Sequence, residues 1–213
     1  MPVEASRSDI EKETGRLEAF SDGVYAIAIT LLVLELKVPQ ELSGPGLRHA
    51  LAGQWPDYAA FLVSFATIGI MWINHHRLFT LVRRVDHLLL VLNLFLLLGV
   101  TVVPFPTSLV SRYLGHDGER LAALVYAGWY VVIAIAFNVL WRYMSSAARK
   151  PALLRVPPDS PEVRAIHGQF AFGPPLYALA FVAAFWSAVA SHAICGGLAL
   201  LFLTPPRTLP AGR

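Results

Sequence analysis

No charged side chain interrupts Leu88 to Val103, LLLVLNLFLLLGVTVV, and the only amide in it is Asn93. In hydrocarbon a run of this kind reads as a spanning helix, which satisfies its backbone within the segment. Its length and its Leu content favour the helix, and Pro104 and Pro106 close it. The same texture recurs along the 213 residues, which are 56% hydrophobic and 15% charged, with a mean hydropathy of +0.57. Soluble domains are about one-quarter charged. The chain therefore reads as an all-α integral membrane protein.

Crossing the hydrocarbon takes about 20 residues, and this spacing predicts six transmembrane helices. They run from Leu17 to Val38, Trp55 to Thr80, Leu88 to Val103 and Leu121 to Tyr143. The last two come from Gln169 to Leu203, 35 residues that are too long for one crossing and that we divide near Ser187 to Ser191. Pro174 and Pro175 should kink or delay the fifth. Residues 40–54 and 107–119 are expected loops, and 144–166 an expected basic linker. The organisation is then a cytoplasmic tail over 1–16, a six-span domain over 17–204 and a second tail over 205–213. Residues 1–18 lack the apolar core of a cleavable signal, so the first span is expected to direct insertion.

Charge supports this topology. With the N-terminus inside, 13 Lys and Arg residues fall on the inner side, against only Lys37, Arg48, Arg112 and Arg120 outside, 4 in all. Positive charge favours the cytoplasmic face, which puts both termini in the cytoplasm and the protein in the cell membrane. The net charge of +3 forms no basic stripe and is not a nucleic-acid footprint. Arg outnumbers Lys by 14 to 3, which points to a GC-rich bacterial source. Cys195 is the single cysteine, so no intrachain disulfide forms.

On a helix turning ~100° per residue, Ile27, Thr30, Leu31 and Leu34 share an arc of about 100°. Asp22 lies about 140° from Ile27 and points elsewhere. A stripe of this kind serves lipid contact or helix packing in most membrane proteins. It becomes a narrow gate when symmetry repeats it around an axis. No internal repeat is present, so that symmetry has to come from several chains. The Thr30 hydroxyl could bond back to the Ala26 carbonyl.

A polar anchoring network is expected where the first two spans end on the cytoplasmic side: Arg16, Ser21 and Asp22, with Phe20 among them, on one, and Asn74, His75, His76 and Arg77 on the other. Such groups are costly near lipid and need partners. One reading is an anchor in which Asp22 pairs with Arg16, Arg77 or a histidine. The other is a proton relay through Asp22 and His75 or His76, as in a proton-coupled carrier. Adjacent histidines diverge by ~100°, and no HExxH accompanies them, so no metal site is expected. Glu35 ends the first span outside, as an acidic ring that gathers cations or as a partner of Lys37. No nucleophile elbow, phosphate loop or paired carboxylate suggests an enzyme.

The string Arg16-Leu17-Glu18-Ala19-Phe20-Ser21-Asp22 carries an RxxxFSD signature, followed by GVYAIAITLLVLEL and by Trp72-Ile73-Asn74-His75-His76-Arg77-Leu78-Phe79. In these segments the chain resembles the endosomal and lysosomal transmembrane potassium channel family, in its short bacterial branch with one six-span unit per chain. The resemblance implies a homotetramer that conducts potassium passively, with the first span of each subunit lining a central pore. It implies Ile27 as the narrowest ring, Leu31 and Leu34 as further apolar rings, and Thr30 as the hydroxyl that favours potassium. It implies no cofactor beyond potassium as the permeant ion, and no TVGYG filter is present. A carrier and a non-conducting scaffold subunit are the competing expectations.

Overall fold

The computed structural model describes residues 7–40, 43–148 and 151–204, with side chains from Glu13 onward. The tail segments 1–6 and 205–213 lie outside the described residues. Helix α1 spans Arg7–Leu31 and runs into a 3₁₀ turn over Leu32–Glu35. It begins well inside the segment expected as a tail. The helices that follow are α2 (Gly44–Gly53), α3 (Trp55–Thr80), α4 (His87–Val102), α5 (Pro104–Tyr113), α6 (Glu119–Met144), α7 (Pro161–Ala171), α8 (Gly173–Ala183) and α9 (Ala188–Leu203).

Among the described residues, four stretches are long and apolar enough to cross a membrane: Glu13–Glu35, Trp55–Thr80, His87–Tyr113 and Glu119–Met144. The third is longer than the sequence suggests, because α4 does not end at the prolines. Val103 keeps helical torsions, φ −50° and ψ −38°, and the proline-bearing first turn of α5 continues from it. A proline in the first helical turn costs no hydrogen bond. The expected loop over 107–119 is therefore helical to Tyr113. Pro45 plays the same part in α2, which occupies most of the expected loop over 40–54. Pro161 opens α7 inside the expected linker, where the Ser160 hydroxyl accepts from Val163 N. The break between α8 and α9 falls at residues 184–187, with Ser187 capping Ala190 N, at the edge of the predicted division.

Helix α6 is the hub, packing against α4, α5, α7, α8 and α9. Tyr126, Tyr130, Ile133, Phe137, Leu140, Trp141 and Met144 are buried along it at steps of three or four residues, the spacing that keeps one helix face inward. Its closest approach to α4 depends on Gly99. A Cβ there would lie 3.1 Å from Ile133 Cγ1, and the Trp129 indole donates to Gly99 O at 2.8 Å. Helix α1 packs on α3 and α4 only from one side, and its 3₁₀ turn leans on α3 and α5.

The remaining connections are tied by backbone bonds. Asp86 caps α4 by accepting from Leu89 N and also receives the Tyr143 hydroxyl from α6. The linker after α6 docks on the α3–α4 turn, with Arg83 N donating to Leu153 O at 2.7 Å and Arg155 N to Leu81 O at 2.8 Å. Replacing Gly99 by Leu forces α4 and α6 apart. It should lower the stability of the detergent-solubilised protein by about 1–3 kcal/mol, measured by chemical denaturation.

Candidate ion-conduction site

Helix α1 has two unlike faces. Leu17, Ser21, Tyr25, Ala28 and Leu32 are buried against α3 and α4. Opposite them, Ile27 is 58% exposed, Leu31 45% and Leu34 70%. All three lie outside the buried core, and Phe20 extends the exposed line toward the start of the helix. The 3₁₀ turn improves the alignment. At three residues per turn, side chains at i and i+3 eclipse, so Leu34 stands over Leu31 more directly than an α-helix would place it. Thr30 is exposed beside them. Its hydroxyl donates to Ile27 O at 2.9 Å rather than to Ala26, which leaves its oxygen lone pairs free to face an ion.

The buried face is held by polar bonds. Ser21 Oγ donates to Leu17 O at 2.9 Å and accepts from Asn93 Nδ2 at 2.9 Å. His75 Nε2 lies 2.8 Å from Asn93 Oδ1. An amide oxygen only accepts, so Nε2 carries the hydrogen. The His75 ring stacks on Phe79 at 4.1 Å and tilts against Tyr25 at 5.4 Å. One side chain from each of α1, α3 and α4 thus meets in a chain of buried hydrogen bonds.

Asp22 has a different partner from those expected. It accepts from the Trp72 indole at 2.8 Å, rather than pairing with Arg16, Arg77 or a histidine. His76 turns outward, with Nδ1 2.9 Å from Glu18 Oε1 and its ring stacked on Trp72. The two histidines therefore face apart, as their ~100° separation requires. Asn74 joins neither group, because its amide donates to Ile70 O and to Phe202 O at the end of α9. Arg77 Nη1 is buried without a hydrogen-bond partner among the described residues, and Arg16 is exposed beside Glu13 and Phe20 in an open groove. Glu35 sits at the end of the 3₁₀ turn and lines an open cleft with Lys37, Asp57, Arg112 and His116.

Sequence reasoning missed Asn93, Trp72 and Glu18 as members of these groups. Asn93 had a usable signal, being an amide in the most apolar run of the chain, where polar residues seek partners. Trp72 and Glu18 sit one helical turn from His76 and Asp22, but nothing in their spacing says which groups they meet.

Fold and site together define an all-helical integral membrane protein whose first spanning helix is anchored along one face and left uncovered along the other. The profile of the family described as endosomal/lysosomal potassium channel TMEM175 matches residues 16–104, which take in α1 from Arg16 onward and all of α3 and α4. A potassium channel of Chamaesiphon minutus is 53% identical over 194 residues, covering 90% of this chain and 94% of that one. A potassium channel of Streptomyces collinus is 48% identical over 191 residues, with 89% and 91% covered. The crystal structure of a lysosomal potassium-selective channel TMEM175 homolog from Chamaesiphon minutus superposes with a TM-score of 0.80 at 51% identity, covering 90% and 96%. This chain belongs to the TMEM175 family.

Asn93→Leu keeps the branching and heavy-atom count of the side chain but leaves Ser21 and His75 without their shared partner. The expected loss is about 1–3 kcal/mol of stability, seen as earlier thermal unfolding in detergent.

Proposed function

We infer that this chain is the subunit of a potassium channel, and that four copies place the exposed face of α1 around one axis. The observation that carries this reading is the alignment of Ile27, Leu31 and Leu34 on a face that the protomer's own core leaves bare. A membrane protein gains nothing by leaving this stripe unpacked unless lipid or another chain covers it. Membership of a potassium channel family favours another copy. Ions rather than substrates are then what the protein handles, and no chemistry is asked of it.

Rings of Ile27, Leu31 and Leu34 offer no ligands to an ion. A constriction of this kind excludes water and gates by dewetting, so conduction requires it to widen. Selectivity then rests on the cost of stripping hydration water, which is lower for potassium than for sodium. Thr30, one step from the Ile27 ring, returns part of the lost coordination through its lone pairs. Glu35 at the far end of the helix raises the local cation concentration.

The membrane topology follows from the same reading. Helices α8 and α9, of 11 and 16 residues, complete a six-span subunit, α8 being lengthened by α7 through the helical residue Phe172. Both termini then lie on the cytoplasmic side of the cell membrane. The carrier alternative is weakened by the polar geometry. Asp22 is held by Trp72, and His75 is held by Asn93 in a buried site, so each has a structural task on the anchored face and neither reaches the exposed stripe.

Two variants test the pathway in reconstituted bilayers. Ile27→Asn should raise conductance and lower the preference for potassium, since it puts a hydrating amide in the narrowest ring. An unchanged current would contradict the assignment. Thr30→Ala should reduce the potassium-to-sodium permeability ratio by roughly 2–10-fold, the range of one hydrogen-bond-scale interaction of about 1 kcal/mol, read from the reversal potential under bi-ionic conditions.

A further inference from the structure

Between α3, α5, α6 and α9 lies a half-open cavity of about 240 Å³. For scale, an apolar cavity of ~150 Å³ suffices to hold a benzene molecule. Its space comes from small residues, Ala59 and Ala60 on α3 and Gly196 on α9, and its wall also carries Ser64, Thr67 and Thr107. Tyr126, Tyr130, His192 and Cys195 also line it.

The hydrogen-bond accounting of this wall is one-sided. Thr107 donates to Val103 O, so the 2.7 Å contact between Ser64 and Thr107 uses the Ser64 hydrogen. Thr67 donates to Val63 O, and Tyr126 donates to the Tyr130 hydroxyl. His192 Nδ1 lies 2.6 Å from Ala188 O. A carbonyl only accepts, so Nδ1 carries the hydrogen and, in the neutral ring, Nε2 is a bare lone pair. That Nε2 atom is buried and has no hydrogen-bond partner among the described residues. Ser64, Thr67, Thr107 and Tyr126 thus spend their hydroxyl hydrogens within the protein, while the His192 imidazole keeps a bare acceptor. Among the described residues no carboxylate, lysine or arginine lines the cavity, so none of them selects a charged guest.

We propose that this cavity binds a small neutral amphiphile bearing one hydrogen-bond donor, of the phenol or alkanol class, whose hydroxyl donates to His192 Nε2 while its apolar body rests on Ala59, Ala60 and Gly196. A guest lacking the donor leaves the imidazole acceptor buried and unmade, which is unfavourable. A guest with the donor satisfies it and also replaces water against the apolar part of the wall. The site sits between helices that support the 3₁₀ turn of α1, since α3 and α5 both touch that turn.

The test uses the full-length protein in lipid nanodiscs with 4-fluorophenol and 4-fluoroanisole as fluorine NMR probes. The two differ chiefly in the hydroxyl hydrogen. Fluorophenol should bind saturably, be displaced by unlabelled phenol, and bind about tenfold more tightly than fluoroanisole. His192→Phe should abolish that preference. Gly196→Leu should abolish saturable binding. A Cβ on Gly196 meets no atom within 4 Å, so the larger side chain enters the cavity without displacing the backbone, and an unchanged gel-filtration profile checks the fold. Equal, non-saturable partitioning of both probes into wild-type nanodiscs would overturn the proposal and leave the cavity to water. Wild-type binding by Gly196→Leu would overturn it as well.

Discussion

The rotation of one helix about its own axis decides everything this molecule can do. A mostly apolar helix in lipid has little reason to prefer one azimuth, because hydrocarbon chains cover Leu and Ile on any side equally well. The buried chain Leu17 O–Ser21–Asn93–His75 supplies the preference. Turning α1 by one residue would strand the Asn93 amide and the Ser21 hydroxyl in an environment with no water to replace their bonds. The Asp22–Trp72 bond and the Glu18–His76 contact add a second point of attachment toward the helix start. With that face fixed, the line Phe20, Ile27, Leu31 and Leu34 has only one direction left to point.

The outer end of the helix is shaped by geometry more than by polarity. The tightening at Leu32–Glu35 keeps Leu32 buried while bringing Leu34 into register with Leu31. Leu36 then leaves the helix in extended conformation. Meanwhile the α6-centred bundle forms a separate stack of aromatic rings, Tyr130 on Tyr177 and Phe137 on Phe170. Two asparagines stitch it at helix breaks: Asn138 donates to Phe170 O where α7 ends, and Asn74 to Phe202 O near the end of α9. Each of these carbonyls lies in the last turn of a helix, where no intrahelical donor is available.

Much of this was legible in the residues. The 3.6-residue period of α1 places Ile27, Leu31 and Leu34 on one face without any structure, and the hydropathy of the long runs gives four spans directly. The prolines misled for an identifiable reason. Pro45, Pro104 and Pro161 look like punctuation, yet each sits in a first helical turn, where the ring costs nothing. The partner of Asp22 was beyond sequence reasoning. Charge suggested an arginine or a histidine, but the relative rotation of α1 and α3 brings an indole donor there instead, and rotation is set by packing over the whole helix. Asn93 marked itself by its apolar setting, although nothing local says that it meets Ser21 and His75.

The account depends on the bare stripe of α1 facing its own copies. Determining the structure of the full-length protein in lipid nanodiscs by cryo-electron microscopy tests this most directly. The expected result is four subunits around an axis, with the Ile27 side chains closest to it and Leu31 and Leu34 forming rings along the same passage. A particle in which Ile27, Leu31 and Leu34 face lipid, or in which no continuous passage runs along the axis beside α1, would contradict it.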